Sequence, residues 1–502
     1  MWPWDQAWYG EVSTDLFYLL THAPHAWLSA MIGLMPSKPP LLCWLGQFFV
    51  PLAAGTGNVE ASLLGFMVAI QFATLVLVWV AAQGLAPDNR WAAVAAVLLA
   101  GSAPLFIGMS HQYFVEPLQA CVVAASLLLA IIAPRLRPMR SAGLLSLLVV
   151  IGFGAKTTTF LYCGASWLVT VAALARQPAL RKPGPSMARA NGAGWLAMGL
   201  AFGLGGLTAF WYLANFARIE AHMRASVSDT LYGAAGPFFN KLPYWIGAAD
   251  AAFFDVPFVW IALVVIAGLA VGRALRRNLS GDPARALVAA SALIQIVAPV
   301  ALLASQPNEE TRFLLPTLPN LAVLAAWLLR ERSWRIPAIA ASALFAAQWS
   351  LGHLQAHGLV RGYAQSPWLL AVDTDRSNRT VAREIVHKTC PAADANSVNV
   401  IAPEYPQMNA NSVAFFAAKE RLQVGYRCFY TSLGYAEDNV ERALGRIAAL
   451  NTLFVVLPQR RAIPENPDAF NRVLRPVQAV LSASSEFSPA GTAGGYEIFR
   501  RR

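Results

Sequence analysis

Long apolar stretches dominate the first 350 residues, and they restrict the chain to structures built within a membrane. Of the 502 residues, 57% are hydrophobic and only 13% are charged, well outside ordinary soluble usage. Several stretches reach the roughly 20 residues that a helix needs to cross the bilayer core. The pattern predicts about ten spans, at residues 61–82, 91–108, 114–133, 141–155, 157–175, 192–213, 251–271, 286–304, 313–329 and 335–351.

The two spans on either side of Lys156 are short. One long helix with a buried lysine is the alternative, although an unpaired charge in the bilayer core is costly.

The basic residues are divided unequally between alternate loops. One set of loops holds fifteen Lys and Arg residues and the other only six, and the positive-inside rule makes the first set cytoplasmic. The N-terminal segment, the loops 109–116, 214–250 and 305–312, and the C-terminal region then lie outside. Because topology explains the net charge of +11, no nucleic-acid partner is predicted.

Residues 1–60 mix tryptophan, proline and short apolar pieces, and we expect an outer segment whose helices lie at the membrane interface. With ten spans and an outside N-terminus, we also expect a first helix upstream of Met1. The loop 214–250 is long enough to be a functional lid or a plain connector.

After residue 356 the composition changes to alternating helix and strand. Helices are predicted at 378–390, 409–420 and 466–483, and strands at 397–402, 452–457 and 495–499, which indicates a small α/β domain. The predicted domains are therefore 1–355, in the membrane, and 356–502, outside it. In an exported domain Cys390 and Cys428 can form a disulfide, whereas the other three cysteines lie in apolar segments.

Five charged residues fall at the ends of apolar stretches, all at the outer face: Asp5, Lys38, Glu116, Lys156 and Arg312. A membrane protein that gathers acids and bases at one rim indicates a site there. Asp5 suits a general base or simply an N-cap. Lys38, before two prolines, suits a lipid phosphate or ordinary snorkelling to headgroups.

The other three charged residues have similar pairs of explanations. Glu116 precedes Pro117 and suits the positive end of a helix, or else tunes Asp5 or holds a divalent cation. Lys156 needs a partner, for which a phosphate is suitable. Arg312 can grip a phosphate or pair with Glu116. His111, before Glu116, is more often a satisfied polar residue than a ligand.

Together and in order, these motifs resemble the GT-C glycosyltransferases, particularly bacterial relatives of protein O-mannosyltransferases and lipid A aminoarabinose transferases. The resemblance lies in Asp5–Tyr9, Lys38-Pro39-Pro40, Glu116-Pro117-Leu118, the Lys156 turn and Arg312–Pro316, and covers about 350 residues. It implies an all-α polytopic membrane domain followed by a small extracytoplasmic α/β domain. Gln6 stands where the family usually has Glu, which weakens any metal proposal, and the family's usual first span is absent.

By this resemblance Asp5 is the catalytic base, and Glu116 is the second acidic residue of the outer loops and also a catalytic residue. The same resemblance makes Lys38, Lys156 and Arg312 candidates for binding the donor phosphate. Gln6, Tyr9 and His111 are further substrate-site candidates. The expected enzyme is an inverting glycosyltransferase in a bacterial inner membrane, with its site and C-terminal domain in the periplasm. The expected donor is a sugar on polyprenyl phosphate, and the acceptor an envelope glycan, lipid or protein. A divalent cation is an optional cofactor.

Two other functional classes remain open at this stage. A transporter or flippase of a lipid-linked or anionic solute predicts charges that reach both faces of the membrane, whereas here they cluster at one. A scaffold protein predicts that the outer domain alone carries the function.

Overall fold

The computed structural model describes residues 2–53, 58–176, 192–228, 238–254, 283–356, 359, 376–390, 398–425, 428–434 and 436–502. Within these ranges, six helices are long and apolar enough to cross a membrane. The chain is a multi-pass membrane protein. The six are Val59–Leu85, Glu116–Arg135, Pro138–Ala155, Gly192–Arg224, Pro283–Ala304 and Thr311–Leu328.

The α-helices before the C-terminal domain are numbered in chain order. They are α1 Trp4–His22, α2 Pro24–Gly33, α3 Leu41–Gly46, α4 Val59–Leu85, α5 Arg90–Ser102, α6 Pro104–Met109, α7 Glu116–Ile132, α8 Pro138–Ala155, α9 Thr159–Ala175, α10 Gly192–Ser228, α11 Phe238–Phe253, α12 Pro283–Ala304, α13 Leu318–Leu328 and α14 Arg335–Ala356. A 3-10 helix, Thr311–Thr317, precedes α13.

The predicted span 91–108 is wrong as a single helix, because the chain forms α5 and α6 instead. Ala103 between them is extended, with φ −60° and ψ 125°. Pro104 causes the break, since proline cannot donate a backbone hydrogen bond and disfavours helical geometry in the residue before it. The predicted span 251–271 lies mostly outside the described residues.

The predicted loop 214–250 is also wrong, because α10 continues to Ser228 and α11 begins at Phe238. The hydropathy pattern ends near residue 213, but the next residues include good helix formers such as Ala, Arg and Glu. Glu220 and Arg224 form an i,i+4 ion pair on this extension, which supports a helix in water.

Two compact units divide the chain. One contains Met1–Met31, Cys43–Leu63 and Val372–Arg502, and the other contains Ile32–Leu42 and Leu64–Ala371. The predicted domain boundary at residues 355–356 stays a prediction. The structure adds that most of the N-terminal outer segment packs with the C-terminal domain.

The C-terminal domain is built on a five-stranded mixed sheet with the order β2-β1-β3-β5-β4. Strands β1, β2 and β3 are parallel, and β5 pairs antiparallel with both β3 and β4. Its elements are α15 Arg376–Thr389, β1 Val398–Ile401, α16 Ala410–Val424, β2 Phe429–Thr431, α17 Val440–Ala449, β3 Thr452–Pro458, α18 Leu474–Ala483, β4 Phe487–Ala493 and β5 Tyr496–Arg501.

This domain confirms five of the six predicted elements and corrects the sixth. The predicted helix 466–483 begins only at Leu474. The Asp468 side chain accepts a hydrogen bond from the backbone N–H of Phe470 at 3.0 Å, and such an Asx turn competes with helix formation. Strands β2 and β4 and helix α17 were not predicted.

Two apolar clusters cover the two faces of the sheet. One contains residues of α15 and α16, and the other contains residues of α17 and α18. Cys390, after α15, is joined to Cys428, before β2, in a disulfide with a Cα–Cα distance of 5.4 Å. The disulfide links the end of α15 to the start of β2, an edge strand of the sheet. Cys390 belongs to the apolar cluster that contains residues of α15 and α16, and Cys428 packs against that cluster.

Glu404 should make the stability of this domain depend on pH. Burial raises the pKa of its carboxyl to about 7, and a hydrogen bond with Ser432 opposes the shift. Because the folded pKa exceeds the unfolded value, the stabilising contribution is complete below about pH 4.5 and is lost as pH rises from there through 7. Between pH 5 and pH 8.5 the full chain should lose up to about 3 kcal/mol that a Glu404→Gln variant retains. Thermal unfolding across this range measures the difference, and identical pH profiles would contradict it.

Candidate functional site

The centre of the site is a buried carboxylate at the start of α7. Glu116 is the first residue of the helix and Pro117 follows it. Proline fits the first turn because its missing N–H would be unpaired there in any case. The positive end of the helix favours a carboxylate at this position. The Glu116 side chain is only 2% exposed, so it needs cationic partners.

Lys156 supplies the first partner. Helix α8 ends at Ala155, Lys156 is extended with φ −161° and ψ 139°, and α9 begins at Thr159. The lysine therefore lies in a break between two helices rather than inside one long span. Its Nζ donates to Glu116 Oε1 at 2.9 Å. The side chain of Gln119 reinforces this contact between helices, because its Nε2 donates to Thr159 Oγ1 at 3.0 Å.

Arg312 supplies the second partner. It lies in the 3-10 helix, and its Nε is 3.7 Å from Glu116 Oε1. Of the two explanations given for Arg312, pairing with Glu116 is observed in the structure. Its guanidinium also forms an ion pair with Glu310.

Aromatic rings surround both cations. The Arg312 guanidinium lies 4.2 Å from the centre of the Phe114 ring, and Lys156 Nζ lies 3.9 Å from that of Phe313. The Lys156 and Arg312 side chains are 23% and 16% exposed. They are fixed in direction by the carboxylate and the rings, yet part of each side chain stays exposed.

The segment that carries Lys38 is attached to the same compact unit. Trp211 Nε1 donates to the carbonyl oxygen of Met35 at 3.0 Å, and Asn215 Nδ2 donates to that of Ile32 at 3.0 Å. Tyr113, three residues before Glu116, donates its hydroxyl to the carbonyl oxygen of Leu42 at 3.2 Å. Lys38 is half-buried between these anchors. Its backbone is thus held by α10 and by the approach to α7.

Asp5, Gln6 and Tyr9 belong to the other compact unit. Pro3 occupies the N-cap position of α1, so the alternative that Asp5 is an N-cap is wrong. Asp5 lies in the first turn, where the helix dipole favours its charge. It is half-buried, whereas Gln6 and Tyr9 are buried. His111 is exposed in the turn after α6.

Lys241 is a functional candidate that the sequence analysis missed. It lies in α11 with only 5% of its side chain exposed. Its Nζ donates to the carbonyl oxygen of Gln306 at 2.7 Å and is 3.4 Å from Glu309 Oε1. Tyr244, one turn later, donates to the carbonyl oxygen of Glu309 at 2.5 Å. Helix α11 thus fixes the loop that leads to Arg312. In the sequence, Lys241 appears only as one cation within the predicted loop 214–250.

The optional metal has no evident ligand set in the described ranges. Among those residues, no group of three or more His, Cys, Asp or Glu side chains is placed to hold an ion.

No protein-family model and no curated protein sequence matches the chain. Solved structures do match. ArnT from Cupriavidus metallidurans, bound to undecaprenyl phosphate, has a TM-score of 0.57 at 14% identity, over 99% of this chain and 94% of that one. Its apo structure has a TM-score of 0.54 at 15% identity, over 99% and 93%.

The chain shares the fold of ArnT. The similarity extends over the membrane region and the C-terminal domain alike, so it covers more than the 350 residues of the sequence motifs. The oligosaccharyltransferase AglB from Archaeoglobus fulgidus, in complex with an inhibitory peptide and a dolichol-phosphate, matches with a TM-score of 0.49 at 14% identity, over 91% of this chain and 66% of that one. The predicted fold class is confirmed.

Within this fold, removing the Glu116 carboxylate should destabilise the membrane domain. Glu116→Gln leaves two largely buried cations without their shared partner, and breaking a buried pair in this way costs about 3–5 kcal/mol. Thermal unfolding in detergent measures the loss, and adding Lys156→Met should recover part of it.

The matched control is Glu220→Gln, which removes an ion pair whose side chains are 45% and 76% exposed. This variant should change stability by at most about 1 kcal/mol. Equal effects of the two glutamate substitutions would contradict the central role of Glu116.

Proposed function

We propose that this protein is an integral membrane glycosyltransferase that moves a sugar from a polyprenyl-phosphate carrier to an extracytoplasmic acceptor. The whole-chain fold match to ArnT, which was solved with undecaprenyl phosphate bound, is the observation that carries the proposal. The acceptor is an envelope glycan, lipid or protein. The proposed location is a bacterial inner membrane, with the reaction on the periplasmic side.

The proposed donor phosphate needs cations that are oriented before it arrives. Lys156 and Arg312 meet this requirement because Glu116 and the aromatic rings fix them while part of each side chain stays exposed. Lys38 is proposed as the third cation. Preorganised charges stabilise a leaving group without reorganising during the reaction. In this proposal Glu116 contributes to catalysis by orienting the two cations.

The proposed base is Asp5. An acceptor oxygen or nitrogen attacks the anomeric carbon, and the bond from that carbon to the phosphate oxygen breaks with its electron pair. Polyprenyl phosphate leaves, the anomeric centre inverts, and the acceptor proton passes to the Asp5 carboxylate. Gln6 and Tyr9 are proposed to line the acceptor side, with His111 as a further contact.

Asp5→Asn should therefore abolish transfer without unfolding the protein. General bases contribute about 10²–10⁴-fold to rate, so kcat should fall by at least about 100-fold. The assay follows labelled hexosyl and pentosyl undecaprenyl phosphates incubated with an envelope acceptor extract.

The matched control is Asp88→Asn, at an exposed position, which should retain full activity. Retained transfer by Asp5→Asn would overturn the base assignment. Label that crosses a vesicle bilayer without transfer would instead establish a flippase.

Glu310 should compete with the donor phosphate for Arg312. The Glu310 carboxylate pairs with the guanidinium, and its side chain is 29% exposed. Glu310→Gln should tighten undecaprenyl phosphate binding several-fold. The substitution removes a negative charge that repels the phosphate and a carboxylate that competes with it for Arg312. Arg312→Met should weaken binding by about 10-fold or more, the loss of one charge-assisted contact. A fluorescent undecaprenyl phosphate titration measures both, and unchanged dissociation constants would remove Arg312 from the phosphate site.

A further inference from the structure

Helix α1 carries the proposed base, and one helix of the C-terminal domain contacts it along much of its length. That helix is α16, and both helices belong to the same compact unit. The contacts occur at the start of α1, at its middle and near its end, and each has a different chemical character.

The first contact lies immediately before Asp5. The Trp2 ring stacks on Phe415 with a centroid distance of 5.0 Å and an interplanar angle of 12°. Ser412 Oγ also donates to the carbonyl oxygen of Trp2 at 3.0 Å. The Ser412 N–H is itself bound by the Asn409 side chain, which caps α16. The chain entering α1 is thereby attached to the first turn of α16.

The second contact is a close approach at Gly10. A Cβ atom at this position would lie 2.9 Å from the Phe415 ring and 2.9 Å from Trp2. Real Cβ atoms essentially never come so near to another heavy atom. Only glycine lets the helix backbone lie this close to the ring, so α1 has little room to rotate at Gly10.

The third contact is a buried ion pair. Arg421 binds Asp15, and the two side chains are only 8% and 11% exposed. The Arg421 guanidinium also lies 5.1 Å from the centre of the Tyr18 ring, one turn further along α1. A buried guanidinium has few acceptable positions, because its charge must stay paired. This pair therefore fixes the position of α1 along its axis and its rotation about that axis, both relative to α16.

We infer that Arg421 is a positioning residue for the proposed base, Asp5, so that the C-terminal domain acts in catalysis by holding α1. Ten residues separate Asp5 from Asp15, about 15 Å along a helix, so a small tilt at one end displaces the other. Displacements of about 1 Å can cost on the order of 100-fold in rate. The inference rests on the proposed function.

The inference predicts a specific kinetic pattern. The proposed phosphate-binding residues belong to the other compact unit, so loss of the Asp15–Arg421 pair should leave donor binding intact. A role confined to stability would instead lower the total rate and the number of donor-binding sites in proportion, with kcat per site unchanged. Rates are therefore normalised to the sites that bind labelled undecaprenyl phosphate.

The test variant combines Asp15→Asn with Arg421→Met, which removes both charges and leaves neither buried alone. We expect kcat per binding site to fall on the order of 10- to 100-fold, with KM for the donor and Kd for undecaprenyl phosphate unchanged. The reversed pair, Asp15→Arg with Arg421→Asp, should recover part of kcat.

The matched control is Arg442→Met in the same domain. It removes an exposed arginine that pairs with Glu437 and Asp438, and it should leave kcat unchanged. If the double variant does not fold, Gly10→Ala is the second test. This substitution keeps all charges, but its added Cβ pushes α1 away from the Phe415 ring. It should lower kcat and leave the donor Kd unchanged.

The outcomes separate this inference from the proposed function. If Asp5→Asn abolishes transfer while the double variant, or Gly10→Ala in its place, retains the wild-type kcat, the positioning role is overturned and the proposed function stands. If Asp5→Asn retains transfer, the base assignment fails and the positioning role fails with it, while the transferase function stands. If the wild-type protein transfers no label, the proposed function fails. A fall in the total rate matched by an equal loss of donor-binding sites, which leaves kcat per site unchanged, would also overturn the positioning role.

Discussion

The membrane domain depends on one ionic interaction, the pairing of the Glu116 carboxylate with Lys156 and Arg312. A charge at the edge of a bilayer core is tolerated only when it is paired or solvated. Through these three residues α7 is connected with the α8–α9 break and with the 3-10 helix before α13. The three segments are distant in sequence. A neighbouring hydrogen bond supports the same connection: the Tyr162 hydroxyl of α9 donates to the carbonyl oxygen of Phe313, next to Arg312, at 2.8 Å. Packing of these helices and orientation of the two cations are therefore the same structural requirement.

The helix break at Lys156 is stabilised by contacts within the protein. The backbone must satisfy its hydrogen bonds internally in lipid, so an interrupted helix needs protein partners at the break. Lys156 illustrates this, since its backbone N–H still donates to the carbonyl oxygen of Gly152 at 3.0 Å while its side chain is directed to Glu116. At Lys156 and at the 3-10 helix of Arg312 the irregular backbone carries a charged side chain, and a polar substrate can be recognised at such positions.

The sequence predicted those features that have a local cause. Apolar length located six of the ten predicted spans within the described residues, and the positions of Glu116, Lys156 and Arg312 at helix ends indicated that they share one face. Features set by contacts distant in sequence were missed. The helical character of residues 215–228 and 238–250 was hidden because their polar residues resemble those of a loop.

The docking of α1 on α16 was likewise invisible, since Asp15 and Arg421 are 406 residues apart. The role of Lys241 was missed for the same reason, as its partner Glu309 is far along the chain. Charge pairing between distant residues cannot be read from hydropathy or local motifs. The reaction roles of all the predicted site residues, Glu116, Lys156 and Arg312 included, stay predictions.

The most direct test of this account is a structure of the protein determined with undecaprenyl phosphate bound in a lipid nanodisc. The account predicts that the phosphate oxygens lie within about 3 Å of Lys156 Nζ and of the Arg312 guanidinium, the distance of a charge-assisted hydrogen bond, with Glu310 displaced from Arg312 and Glu116 still paired with Lys156. A phosphate bound elsewhere, with the Glu310–Arg312 pair intact, would contradict the assignment of these cations to the donor.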